Sequence, residues 1–99
     1  MAKALKTPRA QADLEAILDE LESKSPPAAE RFAARVDRKC LALGRIPELG
    51  RARDEILPGL RSTPVGKYVL FYRLRGEVVE VLRILHGRRD LGRILKEGA

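Results

Sequence analysis

Two amphipathic helical patterns set end to end across a proline break do most to decide what this chain can fold into. Leu14, Ile17, Leu18 and Leu21 fall at i, i+3, i+4 and i+7, with Asp13, Glu15, Asp19, Glu20 and Glu22 filling the other positions. That spacing gathers the apolar residues on one face of an α-helix and leaves an acidic face opposite. Thr7 and Pro8 supply a stop and a helix entry before it, because proline has no N–H to lose in a first turn. Ser23-Lys24-Ser25-Pro26-Pro27 ends the first helix and starts another, with Ser25 placed to cap and Pro26 suited to the first position. From there Ala29, Phe32, Ala33, Val36, Cys40 and Leu43 keep helical spacing up to Gly44, while Arg31, Arg35, Arg38 and Lys39 point elsewhere. Two helices joined this tightly predict an antiparallel hairpin whose apolar faces need a cover.

The cover comes from the C-terminal half. Gly44 to Gly59 holds prolines, glycines and alternating charges without sustained periodicity and reads as a structured loop. Leu60–Val65, Lys67–Leu74 and Glu77–His86 then read as strands of an antiparallel meander, the last two joined across Arg75-Gly76 as a two-residue hairpin. Val69-Leu70-Phe71-Tyr72 and Val78-Val79-Glu80-Val81-Leu82 are apolar at adjacent positions, as expected of strands covered on both faces. Ala2–Lys6 has room for a short strand, and Arg89–Leu95 for a short terminal helix with Leu91, Ile94 and Leu95 to pack. The expected fold is α+β, in the order β-α-α-β-β-β. A short N-terminal strand and an antiparallel helical hairpin pack on a small, mainly antiparallel sheet, with a short C-terminal helix or tail.

At 99 residues, 44% apolar and 4% aromatic, the chain has material for one modest aliphatic core, so a single domain over residues 1–99 is expected. Cys40 is the only cysteine and excludes an internal disulfide, and Met1 to Pro8 lacks the apolar run of a signal peptide. Its longest apolar runs, near Tyr68–Tyr72 and Val81–Leu85, fall far short of the ~20 residues that span a bilayer. A cytoplasmic protein without a membrane segment is expected. The net charge of +6 is uneven: residues 1–50 carry 9 basic and 8 acidic side chains, residues 51–99 carry 11 and 6. Such a field favours an anionic partner, nucleic acid or acidic polypeptide, through long-range attraction.

Few groups are suited to catalysis. His86, the only histidine, sits at the end of the last strand and has the titration range of an acid or base, although such a residue is more often packed or hydrogen-bonded in place. Arg61, Arg73 and Arg83 can in principle surround a phosphate, but an arginine within a sheet calls for a carboxylate, and Arg83 is expected to pair with Glu80 or Asp90. Tyr68 and Tyr72 share a strand face and read as core or rim rather than base-stacking platforms. Cys40 reads as core. One cysteine and one histidine assemble no metal site, and no cofactor motif is present. Arg88, Arg89 and Arg93 form a basic tail, either solvated or target-binding.

Four blocks, in order and at consistent spacing, resemble the ParE/RelE toxins. They are Ala12-Asp13-Leu14-Glu15-Ala16-Ile17, Ile46-Pro47-Glu48-Leu49-Gly50-Arg51, Leu60-Arg61-Ser62 with Gly66-Lys67-Tyr68-Val69-Leu70-Phe71-Tyr72-Arg73, and Val81-Leu82-Arg83-Ile84-Leu85-His86-Gly87-Arg88-Arg89-Asp90. The likeness runs from about Leu5 to Leu95 and is strongest to the ParE branch. It implies the toxin half of a type II toxin–antitoxin module. A cognate antitoxin would neutralise it through an acidic segment that folds on binding, in a higher-order complex. ParE-like toxins poison DNA gyrase by protein contact, whereas RelE-like toxins cut messenger RNA on the ribosome. The nuclease alternative would enlist His86, Arg61 and Arg83. Its usual aromatic partner is missing, since His86 is followed by Gly87, Arg88 and Arg89, and Arg51-Ala52-Arg53-Asp54-Glu55 matches its catalytic loop ambiguously. For a gyrase inhibitor, Arg88, Arg89 and Arg93 are the expected target-binding residues and no catalytic residue is expected. A third possibility is an inactive binding protein on the same scaffold, because fold does not fix activity.

Overall fold

The computed structural model describes residues 3–88 and 91–98. Its elements run β1 (Lys3–Lys6), α1 (Pro8–Lys24), α2 (Pro26–Arg45), β2 (Arg51–Ala52), β3 (Leu60–Val65), β4 (Tyr68–Arg75), β5 (Val78–His86) and α3 (Leu91–Gly98), with a 3-10 turn at Pro47–Leu49. This is the expected α+β arrangement of a strand, a helical hairpin, a meander and a short terminal helix. No helix among the described residues is long and apolar enough to cross a membrane.

Thr7 both starts α1 and fastens it to the sheet. Its hydroxyl accepts from Ala10 N at 3.1 Å and donates to Leu82 O at 3.2 Å, and its backbone N–H reaches Val81 O at 3.0 Å. Ser25 stands at the N-cap position of α2 as expected, but its side chain makes no capping bond. Pro26 and Pro27 carry no N–H. The first available donor, Ala28 N, goes instead to the Ser25 carbonyl at 2.9 Å.

Strand order is β1-β5-β4-β3-β2, with β1 parallel to β5 and every other pairing antiparallel. Strand β2 was not expected: it is two residues long and pairs Arg51 with Ser62 and Ala52 with Arg61. The last hairpin turns one residue later than expected, with Arg75 opposite Val78 across Gly76-Glu77. Gly76 has φ +63 and Gly66, in the β3–β4 turn, φ +60. Both occupy the first turn position, where a positive φ matches the twist of the flanking strands.

Both sheet faces are covered, as the continuous apolar runs of β4 and β5 require. On one, Leu14, Ile17, Phe32, Val36 and Leu43 of the hairpin meet Val65, Leu70, Tyr72, Val79, Val81 and Ile84. On the other, Leu60, Phe71, Leu82 and Leu85 meet Leu95 of α3, with Ile56 and Leu57 of the loop before β3 alongside. Each fully buried side chain of this kind contributes roughly 1.5–3 kcal/mol, so α3 and the loop are part of the packing.

A bulge in β5 decides where Arg83 goes. Phe71 lies opposite Arg83 but Tyr72 lies opposite Val81, which leaves Leu82 as the extra residue. Pairing with β1 ends at Val81, and beyond it Asp13 of α1 takes over the free edge by accepting from Ile84 N at 3.0 Å. The same carboxylate receives Arg83 through Nε at 2.8 Å and Nη2 at 3.1 Å. Arg83 is therefore ion-paired as expected, but its partner is Asp13. Glu80 is taken by Arg73 at 2.9 Å and Arg75 at 3.8 Å, and Asp90 lies outside the described residues.

Candidate functional site

The block Ile46-Pro47-Glu48-Leu49-Gly50-Arg51 is a turn pinned to the sheet by one phenol. Tyr72 is fully buried; its hydroxyl accepts from Gly50 N and donates to Pro47 O, both at 2.7 Å. Burial raises the Tyr72 phenol above its usual range, opposed by the Gly50 N–H and the nearby Arg61 cation. Arg61 closes the arrangement by donating to Gly50 O at 2.7 Å and Glu48 O at 3.4 Å. A Cβ at Gly50 would stand 2.5 Å from the Tyr72 hydroxyl, so this position has room only for glycine.

Arg61 thereby serves the loop, Arg83 serves Asp13, and His86 is elsewhere. Across the sheet Arg61 shares a rung with Tyr72 and Val81, whereas His86 shares one with Tyr68 and Val65. At ~3.3 Å per residue and ~4.8 Å between strands, four rungs and two strands put Arg61 and His86 about 16 Å apart at Cα. The fold does not bring the two together. Nδ1 of His86 accepts from Arg88 N at 3.2 Å, which puts the neutral ring's proton on Nε2 and leaves that nitrogen a donor.

His86 does border a feature of its own. Its ring meets Tyr68 edge-on at 5.3 Å, and Tyr68 meets Phe32 edge-on at 5.2 Å. These rings wall an open cleft of about 440 Å³ between the helical hairpin and the β3–β4 turn, whose charged lining is Lys24, Arg31, Arg35 and Lys67 with one carboxylate, Glu20. Lys24 is held by Glu20 at 3.4 Å. No described ion pair involves Arg31, Arg35 or Lys67. Chemically the cleft is a place for an anion. Among the described residues no group of three His, Cys, Asp or Glu side chains can hold a metal ion.

A second depression of about 490 Å³ lies between the outer edge of β1 and α2, lined by Lys3, Lys6, Arg45, Cys40 and Leu41 among others. Leu41 is 66% exposed and Leu5 on β1 is 52% exposed. Cys40 packs partly against the helical core, as expected. Burial raises its thiol, Lys6 opposes that and Asp37 adds to it, so it stays protonated near neutral pH. β1 ends the sheet, so no strand among the described residues uses its outer backbone edge.

Of the expected target-binding residues, Arg88 is exposed in the turn after β5 and Arg93 is exposed on α3. Arg89 lies outside the described residues. Asp13 is not foreseeable from the sequence as the partner of Arg83, and the α2 cations show there only as pointing away from the core. Their regular spacing was the available signal for the second; nothing local signalled the first.

Residues 5–91 match the sequence model of the ParE toxin of the type II toxin–antitoxin system parDE. Toxin ParE1 of Mycobacterium tuberculosis (strain H37Rv) is 38% identical over 96 residues, which cover 95% of this chain and 98% of the relative. Toxin RelE2 of Caulobacter vibrioides is 38% identical over 89 residues, covering 90% of this chain and 99% of the relative. Among solved structures, a chain of the chromosomal ParDE TA system from P. aeruginosa superposes with a TM-score of 0.74 at 25% identity, covering 87% of this chain and 96% of that one.

Proposed function

The chain belongs to the ParE toxin family of type II toxin–antitoxin systems, and from that membership we propose that it arrests growth by binding DNA gyrase and is held in check by a cognate antitoxin. The observation that carries the choice of target is the dispersal of the nuclease candidates. RNA cleavage by a neighbouring 2′-hydroxyl needs a base, an acid and cations around one phosphate. Here Arg61 is bound to loop carbonyls and Arg83 to Asp13, and the Cα of His86 stands about 16 Å from that of Arg61. A protein-contact inhibitor needs none of these to converge. Arg88, Arg89 and Arg93 then serve as its target-binding cations.

The β1–α2 groove supports the antitoxin part of the reading. It sets the exposed Leu41 beside Lys3, Lys6 and Arg45, with Asp37 the one carboxylate in its lining, next to a free strand edge. An acidic segment that orders on binding needs both apolar anchors to offset its lost entropy and cations to pair its carboxylates.

The relative bearing the name RelE2, as similar in sequence as ParE1, favours a second reading: ribosome-dependent cleavage of messenger RNA with His86 as the acid beside the cationic cleft. Induction of the chain alone in cells separates the two. Growth arrest with a DNA-damage response and continuing protein synthesis, relieved by co-expression of the antitoxin, fits a gyrase poison. Arrest of translation with an intact chromosome overturns it.

A further inference from the structure

Helix α2 carries a row of cations that neither the core nor the loops use. Arg31, Arg35, Arg38 and Lys39 lie at i, i+4, i+7 and i+8, a spacing that holds them on one side of the helix. The three arginines are exposed and Lys39 is half-buried. Lys67, in the β3–β4 turn, extends the row sideways across the cleft. Arg35 lines both this cleft and a second hollow of about 240 Å³ bordered by Arg38, Lys39 and Pro64, so the two depressions form one continuous cationic track. None of the five cations makes an ion pair with a described residue. Unpaired like charges held together by a rigid helix repel one another, and a polyanion relieves that repulsion.

We infer that this face of α2, with Lys67, is a docking surface for the phosphate backbone of duplex DNA. Its dimensions fit. From Arg31 to Lys39 the row spans about 12 Å at ~1.5 Å per residue. One strand of a duplex presents a phosphate every ~3.4 Å of axis, so about three or four phosphates face four side chains.

Its composition also separates duplex DNA from other polyanions. An acidic polypeptide that folds on binding needs apolar anchors, and none of the large exposed apolar residues among those described, Leu5, Leu41, Ile46, Leu49 and Leu74, lines either depression. Single-stranded RNA is held by bases stacked on open aromatic faces. The aromatic residues beside the row are Phe32, which is buried, and Tyr68 and His86, which are half-buried and set edge to face with their neighbours. Duplex backbone asks only for cations in a line. The surface lies on a different element from Arg88 and Arg93 and does not depend on gyrase being the target.

The experiment is fluorescence-anisotropy titration of a short, mixed-sequence duplex DNA with the intact purified protein over a range of salt concentrations. Four or five neutralised phosphates give a slope of log K against log salt of about −4. The variant R31A/R35A/R38A/K39A is expected to bind more than ~10-fold more weakly, with a slope near −1. A control variant, R9A/R51A/R75A/K96A, removes the same charge from other exposed positions and is expected to keep most of the affinity and slope. Circular dichroism melting checks that both are folded. Equal weakening by the two variants would reduce the effect to net charge and overturn the assignment. So would an unchanged quadruple variant, or a preference for a single-stranded RNA or an acidic peptide of matched charge over the duplex.

Discussion

Removing the carboxylate of Asp13 should destabilise the protein more than breaking any other ion pair among the described residues. Side chains of Arg83 and Asp13 are only 10% and 16% exposed, and Nη1 of Arg83 is already buried without a partner. Asp13→Ala leaves a buried guanidinium with no counter-charge and strips the acceptor from Ile84 N. Breaking a buried pair from one side costs about 3–5 kcal/mol, and an orphaned backbone donor adds about 1–3 kcal/mol. Alanine's better helix propensity returns less than ~1 kcal/mol, so the loss wins. Against a total stability of roughly 5–15 kcal/mol, a loss of at least ~3 kcal/mol should lower Tm by about 12–24 °C. Urea unfolding followed by circular dichroism measures it directly. Replacing both partners, with Asp13→Leu and Arg83→Met, should recover stability to within ~1–3 kcal/mol of the parent, the residue being the Ile84 N–H. An Asp13→Ala variant within ~1 kcal/mol of the parent would refute the reasoning, because a pair that matters so little is behaving as a solvated one.

The pinned turn makes two further predictions. Gly50→Ala brings a Cβ to 2.5 Å from the Tyr72 hydroxyl, 2.7 Å from Cε1 and 2.8 Å from Ser62 O. Because Tyr72 is fully buried and unable to yield, the expected loss is about 1–3 kcal/mol, read from the midpoint of urea unfolding. Tyr72→Phe orphans Gly50 N and should cost about 1–3 kcal/mol at neutral pH. The folded-state phenol is raised from its usual value of 10.0. The unfolded chain therefore loses its proton first as pH rises, and folding weakens above about pH 10. The stability gap between the parent and Tyr72→Phe should narrow there, in parallel unfolding curves. A Tyr68→Phe variant lets ultraviolet difference absorbance follow the Tyr72 phenol alone, with a midpoint above 10.

What was legible in the sequence was what repeats locally. The helical hairpin follows from the spacing of Leu14 to Leu21 and of Ala29 to Leu43, and the two-sided covering of β4 and β5 from their unbroken apolar runs. Periodicity needs several residues to register, so β2, with two, left no trace. The last turn shifted by one because Gly76, with φ +63, takes the first turn position where the second was assumed. The Arg83–Asp13 pair joins residues 70 apart in the chain, and it follows from a bulge and from where β1 stops. His86 was singled out by residue type and does stand at a cleft. The reason the Ile46–Arg51 block is written as it is, a turn hung on the Tyr72 hydroxyl, could not be read before the fold placed them together. The α2 cations were visible at regular spacing, yet spacing alone does not tell a solvated face from an unpaired one.

The choice of target is tested most directly by giving one preparation of purified protein to two reactions at once: DNA supercoiling by gyrase, and cleavage of messenger RNA on programmed ribosomes. Inhibited supercoiling with intact message is the expected result. Cut message with unaffected supercoiling would contradict it, move the activity to the nuclease branch and make His86 the first residue to replace.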